Sequence, residues 1–548
     1  MRTSFSRLVF IVTLAFSSVN AAPSAGPIVN LGYGSFQGTT AGNLDKFLGM
    51  PFAAPPVGNL RFAPPQAPKT FTGVRQATAF GSACFQQALS GNGTNAANVS
   101  EDCLFINVVK PTSIPKGKKL PVLMWIYGGG FEAGDTSANP GDTVVARSIA
   151  LGEPVVYVSA NYRISALGFL GGKEVKEAGI GNAGLRDQRF AMEWIQSHVE
   201  TFGGDPTRVT IWGESAGAIS VGMHLIVNDG NPNGLFHGAF MESGSPEHLR
   251  DITTYQPFFD QLVSNTGCTS SADKIACMRA VPFGNISTAI NLSPGFLTFM
   301  SINLAWQPSV DGQFIARDPY VSIQKGLYAK VPFVTGDCED EGTVFSLTSL
   351  NITNNAQFLG YMQSNFFPGI SPTDLAALSQ AYPDDITQGS PFGTGTANAM
   401  TPEFKRLAAI QGDIGFQAPR RFLLQTAAKT QPTFGFLFRR GKSSSLGASH
   451  GSDIPEFYGT SSPTAATIDF IGTDALVNFA NTKNPNLPKN SMSLLSAIQW
   501  PEWGSSVSQP PLLTFQDPVP AVNITFDTFR IEGMNLINKI SLTTGNNV

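Results

Sequence analysis

Four apolar segments stand out in the pattern of hydrophobic and polar residues along the chain. Residues 122–127, 209–212, 331–335 and 433–440 are rich in β-branched and aromatic side chains, which is typical of buried strands. The second segment is followed almost at once by an apolar stretch, Ala216–Ile226, that predicts a helix. Polar or glycine-rich residues follow each predicted strand, and we expect functional residues in these loops.

The first 21 residues have the composition of a secretory signal peptide. Arg2 and Arg7 precede an apolar run over residues 8–19, and small residues follow at Ala21 and Ala22. A membrane anchor needs about 20 apolar residues, and this run is shorter. We therefore expect cleavage after residue 21 and secretion of residues 22–548.

The remaining composition favours one soluble extracellular domain. The formal net charge is −4 and no basic cluster is present, which argues against a nucleic-acid partner. No later segment is long and apolar enough to predict integral membrane association, and no linker or repeat divides residues 22–548. The 41 phenylalanines predict a large aromatic core with an apolar groove.

The five cysteines predict two disulfides in an oxidising compartment. Close neighbours along the chain are the natural pairs, which gives Cys84 with Cys103 and Cys268 with Cys277. Cys338 remains as a buried structural thiol. Since no Cys/His set has zinc-like spacing, the sequence indicates no metal site.

Asn-x-Ser/Thr triplets predict glycosylation at the surface of a secreted chain. A sixth triplet, at Asn291, is weakened by Pro294. The five predicted sites are Asn92, Asn98, Asn285, Asn351 and Asn523.

Two serines lie in a Gly-x-Ser-x-Gly pattern, which occurs easily by chance in this glycine- and serine-rich chain. Ser215 stands between a predicted strand and a predicted helix, with small residues on both sides. That combination is typical of a nucleophile elbow, a sharp turn that exposes the serine hydroxyl. Ser449 follows a polar loop and precedes no helix, so Ser215 is the candidate nucleophile.

A serine nucleophile needs a base, and the chain has five histidines. His198 and His224 lie within predicted helices, while His237 and His248 flank a short strand. Only His450 lies in a loop after a late strand, where a triad in the order serine, acid, histidine places its base.

The acid and the oxyanion donors are expected at the ends of two other strands. Asp337, Glu339, Asp340 and Glu341 follow the strand at 331–335, and spacing does not choose among these four. The strand at 122–127 runs into three glycines, residues 128–130, whose backbone N–H groups can bind a developing negative charge. The N–H of Ala216 is the second source of such donors.

With these elements placed, the chain resembles the type-B carboxylesterase family, the group of cholinesterases and fungal lipases, and most of all the Candida rugosa lipase type. The resemblance covers nearly the whole mature chain. It is carried by the segments "FLGMPFAAPPVGNLRF" (47–62), "EDCLFINV" (101–108), "WIYGGGFEAG" (125–134), "NYRISALGFL" (161–170), "NAGLRDQRFAMEWI" (182–195), "FGGDPTRVTIWGESAG" (202–217), "DEGT" (340–343) and "HGSDIPEFYG" (450–459).

The resemblance implies an α/β-hydrolase fold, with a large, mostly parallel sheet flanked by helices in a single domain. It implies a triad of Ser215, His450 and Glu341. It also implies an oxyanion hole formed by Gly129, Gly130 and Ala216, the same two disulfides, and internal ion pairs of Arg61 with Glu101 and of Arg163 with Asp187. Acyl transfer by such a triad needs no cofactor.

The loop between Cys84 and Cys103 departs from the similar lipases, in which it forms a long amphipathic lid. Here it is short, polar and rich in Asn, Gly and Ser, so we expect an open site and weak interfacial activation. Phe296 and Phe345 resemble residues that line the acyl groove.

The sequence thus predicts a secreted carboxylic-ester hydrolase, a monomer or weak homodimer, acting on small-molecule or lipid esters. Bulky or aromatic esters such as feruloyl or p-nitrophenyl esters are the first expectation. Alternatives are a triacylglycerol lipase or sterol esterase, and a catalytically inactive cholinesterase-like binding protein. Retention of all three triad residues weighs against the last.

Overall fold

The computed structural model describes residues 26–88, 98–460 and 468–544. The predicted signal peptide, the predicted glycosylation site Asn92 and the middle of the short loop, residues 89–97, lie outside these ranges. The four other predicted glycosylation sites, Asn98, Asn285, Asn351 and Asn523, are exposed. Their modification remains a prediction.

An 11-stranded sheet forms the centre of the molecule. The strands of the described chain are β1 (Ile28–Asn30), β2 (Ser35–Gln37), β3 (Thr39–Ala41), β4 (Leu44–Pro51), β5 (Val74–Gln76), β6 (Ala83–Cys84), β7 (Val99–Ser100), β8 (Phe105–Pro111), β9 (Leu120–Ile126), β10 (Val156–Ala160), β11 (Gly204–Glu214), β12 (Gly238–Glu242), β13 (Phe333–Cys338), β14 (Thr433–Phe438), β15 (Pro511–Phe515) and β16 (Val522–Phe526).

The main sheet has the order β16-β15-β14-β13-β12-β11-β9-β10-β8-β4-β3. All pairs from β15 to β10 are parallel, and antiparallel strands close both edges. Smaller sheets join β1, β2 and β5, and β6 with β7.

Helices connect the strands and cover both faces of the sheet. They are α1 (Asp142–Ala150), α2 (Ser165–Phe169), α3 (Lys173–Ala178), α4 (Ala183–His198), α5 (Ala216–Ile226), α6 (Gln256–Asn265), α7 (Lys274–Ala280), α8 (Phe283–Ile290), α9 (Pro319–Gln324), α10 (Gly342–Ser346), α11 (Asn355–Tyr361), α12 (Pro372–Ala381), α13 (Phe404–Gly412), α14 (Ala418–Ala427), α15 (Ile454–Tyr458), α16 (Ile471–Thr482) and α17 (Ile531–Thr544).

The central strands are apolar because both of their faces are covered. Every residue of β9, β12, β13 and β14 is buried. Beneath the end of β11, Trp212 packs against Trp125 and Tyr458, with ring centroids 4.5 Å and 4.6 Å apart. The predicted fold, a mostly parallel sheet flanked by helices, is confirmed.

One strand boundary differs from the prediction in a way that affects the site. The strand expected at 331–335 occupies Phe333–Cys338, because its parallel pairing with β14 continues to Cys338. Asp337 therefore belongs to the strand instead of to the loop after it.

The structure joins the predicted cysteine pairs. Sulfur–sulfur distances are 2.08 Å for Cys84 and Cys103 and 2.04 Å for Cys268 and Cys277. Cys338 is free and buried.

The two expected internal ion pairs are also present. Arg61 lies 2.6 Å from Glu101, and Arg163 lies 2.7 Å from Asp187. All four side chains are buried, so these charges hold loops together beneath the surface.

Candidate active site

Ser215 occupies a strained turn between β11 and α5. Its φ and ψ are 57° and −129°, a conformation that few non-glycine residues adopt. The flanking glycines make the turn sterically possible. A Cβ on Gly213 would lie 2.5 Å from the backbone of Gly217, and a Cβ on Gly217 would lie 2.0 Å from the carbonyl oxygen of Ile126. Close packing around the turn therefore requires glycine at both flanking positions. Ser215 itself is 8% exposed.

Ser215, His450 and Glu341 form a continuous hydrogen-bonded chain. The Oγ of Ser215 lies 2.7 Å from Nε2 of His450, and Nδ1 of His450 lies 2.5 Å from Oε2 of Glu341. The other oxygen of Glu341 accepts the backbone N–H of Cys338 at 2.6 Å. In this arrangement the carboxylate can orient the imidazole, and the imidazole can take the serine proton.

The three neighbouring acids have other partners. Asp337 is bound by Arg420 at 2.7 Å and Glu339 by Arg439 at 2.8 Å. Asp340 accepts hydrogen bonds from a side-chain hydroxyl and two backbone N–H groups at 2.8 to 3.0 Å. Of the four acids that spacing left open, Glu341 is the one that contacts the histidine.

Two buried carboxyl groups that the sequence analysis did not single out lie behind the histidine. Oε1 of Glu214 is 3.5 Å from Nε2 of His450, and burial raises the pKa of Glu214 to about 8. Burial likewise raises the pKa of Asp453 to about 7. Both residues adjoin the triad in sequence, Glu214 before the serine and Asp453 three residues after the histidine, so the signal was present in the motif.

The pKa of His450 reflects opposing effects. Burial lowers it, but the negative charges of Glu341 and Glu214 outweigh burial and raise the pKa of His450 to about 9. The surrounding carboxyls thus favour the imidazolium, the form that the histidine of a serine–histidine–acid triad takes during attack on a carbonyl.

Gly129, Gly130 and Ala216 line the same cavity as Ser215. Gly129 and Gly130 have φ values of 107° and 62°, a region that favours glycine. Among the described residues, none accepts a hydrogen bond from the N–H groups of these three residues. They are therefore free to bind an oxyanion.

The cavity beside Ser215 has a volume of about 240 Å³, and its wall includes four phenylalanines together with aliphatic side chains. Phe296 and Phe345, the two groove residues expected from the sequence, both line it. The rings of Phe345 and Phe416 lie 5.1 Å and 4.7 Å from the imidazole of His450. An acyl group in this cavity would displace water from the triad.

No metal site or membrane span emerges from the described residues. No group of three or more His, Cys, Asp or Glu side chains there could hold a metal ion. In the same ranges, no helix combines the length and the apolar composition that crossing a bilayer requires.

Comparison with known proteins agrees with this architecture. The carboxylesterase family profile matches residues 25–523. Lipase 2 of Diutina rugosa is 40% identical, over 86% of this chain and 90% of that lipase. Secreted lipase 1 of Botryotinia fuckeliana is 39% identical, over 85% of both chains.

The crystal structure of EstA from Aspergillus niger superposes with a TM-score of 0.82 at 28% sequence identity. The match covers 96% of this chain and all of EstA (100%). The sequence profile, the relatives and the fold agree, and the chain belongs to the carboxylesterase family.

Proposed function

We propose that the protein is a secreted carboxylic-ester hydrolase in which Ser215 is the nucleophile, His450 the general base and Glu341 the orienting acid. The observation that carries the proposal is the hydrogen-bonded chain of these residues, with 2.7 Å between Ser215 and His450 and 2.5 Å between His450 and Glu341. Residues 22–548 form the hydrolase domain, and residues 1–21 are the signal peptide that directs its secretion.

In the first step, His450 takes the proton of Ser215 while Oγ attacks the carbonyl carbon of the ester. Negative charge develops on the carbonyl oxygen, and the N–H groups of Gly129, Gly130 and Ala216 bind it. Collapse of this intermediate breaks the bond to the alcohol, which leaves with the proton from His450. The acyl group remains bound to Ser215.

Water then completes the cycle. His450 takes a proton from the water as it attacks the acyl-enzyme carbonyl, and the serine regains its proton when the carboxylic acid leaves. The chemistry requires no cofactor, since base, acid and oxyanion donors all come from this chain.

Soluble esters with a bulky or aromatic acyl group are the proposed substrates, feruloyl and p-nitrophenyl esters among them. The aromatic wall formed by Phe296, Phe345 and Phe416 supports this choice, because it offers ring surfaces for stacking. The polar composition of residues 85–102 supports an open site without a lid that responds to lipid surfaces.

Hydrolysis of insoluble lipid esters is the second candidate, and exposed apolar side chains beside the cavity favour it. Leu297 and Phe299, next to the cavity residue Phe296, are 38% and 46% exposed. Leu347 and Leu350, just after Phe345, are 39% and 37% exposed. Apolar side chains grouped at a surface can contact a lipid phase.

A direct comparison separates the two candidates. We would measure kcat/KM on soluble methyl ferulate and the rate on emulsified long-chain triglyceride, with Ser215→Ala as the blank. The proposal predicts faster turnover of ferulate and no jump in rate when a short-chain ester passes its solubility limit. Faster hydrolysis of the emulsion, with such a jump, would assign the protein to the lipases.

A further inference from the structure

A carboxyl group outside the proposed triad lines the same cavity as Ser215. Glu247 lines the cavity beside Ser215 and also a second cavity of about 80 Å³ behind it. The two cavities share four lining residues, Glu247, Ile302, Gln307 and Gly415. Glu247 therefore lies where the apolar groove gives way to a smaller and more polar space.

The other polar side chains at this junction have partners within the protein. The amide of Gln307 donates to the hydroxyl of Tyr255 at 2.5 Å. Arg250 donates to a backbone carbonyl at 3.0 Å, and His248 pairs with a neighbouring aspartate. By contrast, within the part of the chain that the structure describes, no group donates a hydrogen bond to the carboxyl of Glu247.

Glu247 is half-buried, and burial raises its pKa to about 8. With its pKa raised, the protonated carboxyl offers one O–H donor and a carbonyl acceptor. Because the side chain is only half-buried and lines the cavity, a hydrogen-bonding group of a ligand can reach its oxygens. A hydroxyl group matches it, because a hydroxyl can accept from the O–H and donate to the carbonyl oxygen.

The backbone places Glu247 away from Ser215 along α5. A Cβ on Gly244 would lie 2.7 Å from the carbonyl oxygen of Ser215, and a Cβ on Gly222 would lie 2.6 Å from the nitrogen of Pro246. The chain before Glu247 therefore runs beside α5 from Ser215 to Gly222. At 1.5 Å per residue, this stretch of helix spans about 10 Å.

We propose that Glu247 forms a hydroxyl-binding subsite that selects esters whose acyl group carries a hydroxyl remote from the ester carbonyl. A 4-hydroxycinnamoyl group has this form, with an aromatic body for the Phe-lined cavity and a hydroxyl at its far end. This inference rests on the proposed ester hydrolysis at Ser215 and specifies its substrate class.

The test compares methyl 4-hydroxycinnamate with methyl cinnamate, which lacks only the hydroxyl. An apolar pocket alone would favour the cinnamate, whereas a hydroxyl site left unpaired rejects the analogue without the hydroxyl. We expect the wild type to prefer the hydroxylated ester in kcat/KM by about tenfold or more. In Glu247→Leu this ratio should fall to one or below, and Glu247→Gln, which keeps a donor and an acceptor, should retain part of it.

The matched control is Glu177→Leu, a change at an exposed glutamate that lines neither cavity, and it should keep the wild-type ratio. Turnover of p-nitrophenyl acetate, whose acyl group is too short to reach Glu247, reports on Ser215 chemistry separately. If that turnover persists in Ser215→Ala, the proposed function fails. The subsite proposal alone is overturned if the wild type does not prefer the hydroxylated ester, if Glu247→Leu retains the preference, or if the 4-carboxyl analogue is preferred to both.

Discussion

Oε1 of Glu214 lies 3.5 Å from Nε2 of His450, the same nitrogen that lies 2.7 Å from Oγ of Ser215. Once ionised, above its raised pKa of about 8, this carboxyl group acts on the imidazole of His450 through its charge. It stabilises the imidazolium formed during attack, and it also makes the free histidine harder to deprotonate. The pH dependence of catalysis should reveal this balance.

Glu214→Gln should move the acidic limb of the kcat/KM profile to lower pH. The pKa of His450 is raised to about 9 partly by Glu214, and only the neutral imidazole can take the serine proton. Removing a charge that favours the imidazolium lowers the pKa of His450, so activity should rise at a lower pH, by about one unit. Hydrolysis of p-nitrophenyl acetate from about pH 5 to pH 10 measures the shift. Glu200→Gln, at an exposed position, is the control. A limb that stays in place or moves upward would contradict the role of Glu214.

Gly128→Ala should reduce kcat, and it should change the free energy of unfolding to a lesser degree. A Cβ at this position would lie 2.8 Å from Cβ of Ser215 and 2.7 Å from the carbonyl oxygen of Glu214, so the nucleophile must shift. Displacement of a reacting group by about 1 Å costs on the order of 100-fold in rate. Steady-state kinetics and thermal unfolding, measured together, separate the two effects.

Gly360→Ala is the matched control for Gly128→Ala. Gly360 lies in α11, and nothing lies within 4 Å of a Cβ added there. This change should leave the rate intact and stabilise the fold by about 0.5–1 kcal/mol. Equal rates for the two alanine variants would show that Gly128 does not position Ser215.

The parts of the site that depend on neighbouring residues could be predicted from the sequence. The turn at Ser215 needs small residues on both sides and a strand and a helix around it, and all of these lie within a few positions. Helix α5 begins and ends at the predicted residues, Ala216–Ile226.

The parts that depend on distant segments could not be predicted in this way. The local sequence does not distinguish Glu341 from its acidic neighbours. Their partners distinguish them, and these are distant in sequence: His450 for Glu341 and Arg420 for Asp337. Residues 337–341 alone do not reveal these partners, and only the resemblance to the family selects Glu341. The residues around Glu247 do not predict a role for it either, because its position between two cavities depends on the folded structure.

Asp527→Ala should strongly destabilise the fold. Asp527 is buried and lies 2.8 Å from Arg420 and 2.5 Å from Arg421, both also buried. Burial alone would raise the pKa of Asp527, but the two arginines outweigh it and hold that pKa well below its usual range. Its loss leaves the buried Arg421 without its carboxylate partner and Arg420 with Asp337 alone, at a cost of about 3–5 kcal/mol.

The free energy of unfolding in urea measures this cost. Glu200→Ala is the comparison, because Glu200 and its partner Lys119 are 55% and 50% exposed and such pairs contribute about 0–1 kcal/mol. Similar losses for Asp527→Ala and Glu200→Ala would mean that the arginines find other partners.

Covalent trapping tests the central claim most directly. An activated serine attacks the phosphorus of a p-nitrophenyl phosphonate ester and displaces p-nitrophenol, and the serine phosphonate that forms mimics the tetrahedral intermediate. With one equivalent of this reagent, we predict loss of esterase activity in proportion to the p-nitrophenol released, and mass spectrometry that places the phosphonyl group on Ser215. Ser215→Ala should release none, and His450→Ala should react at a greatly reduced rate. A phosphonyl group on another residue, or full esterase activity after Ser215 is modified, would contradict the assignment.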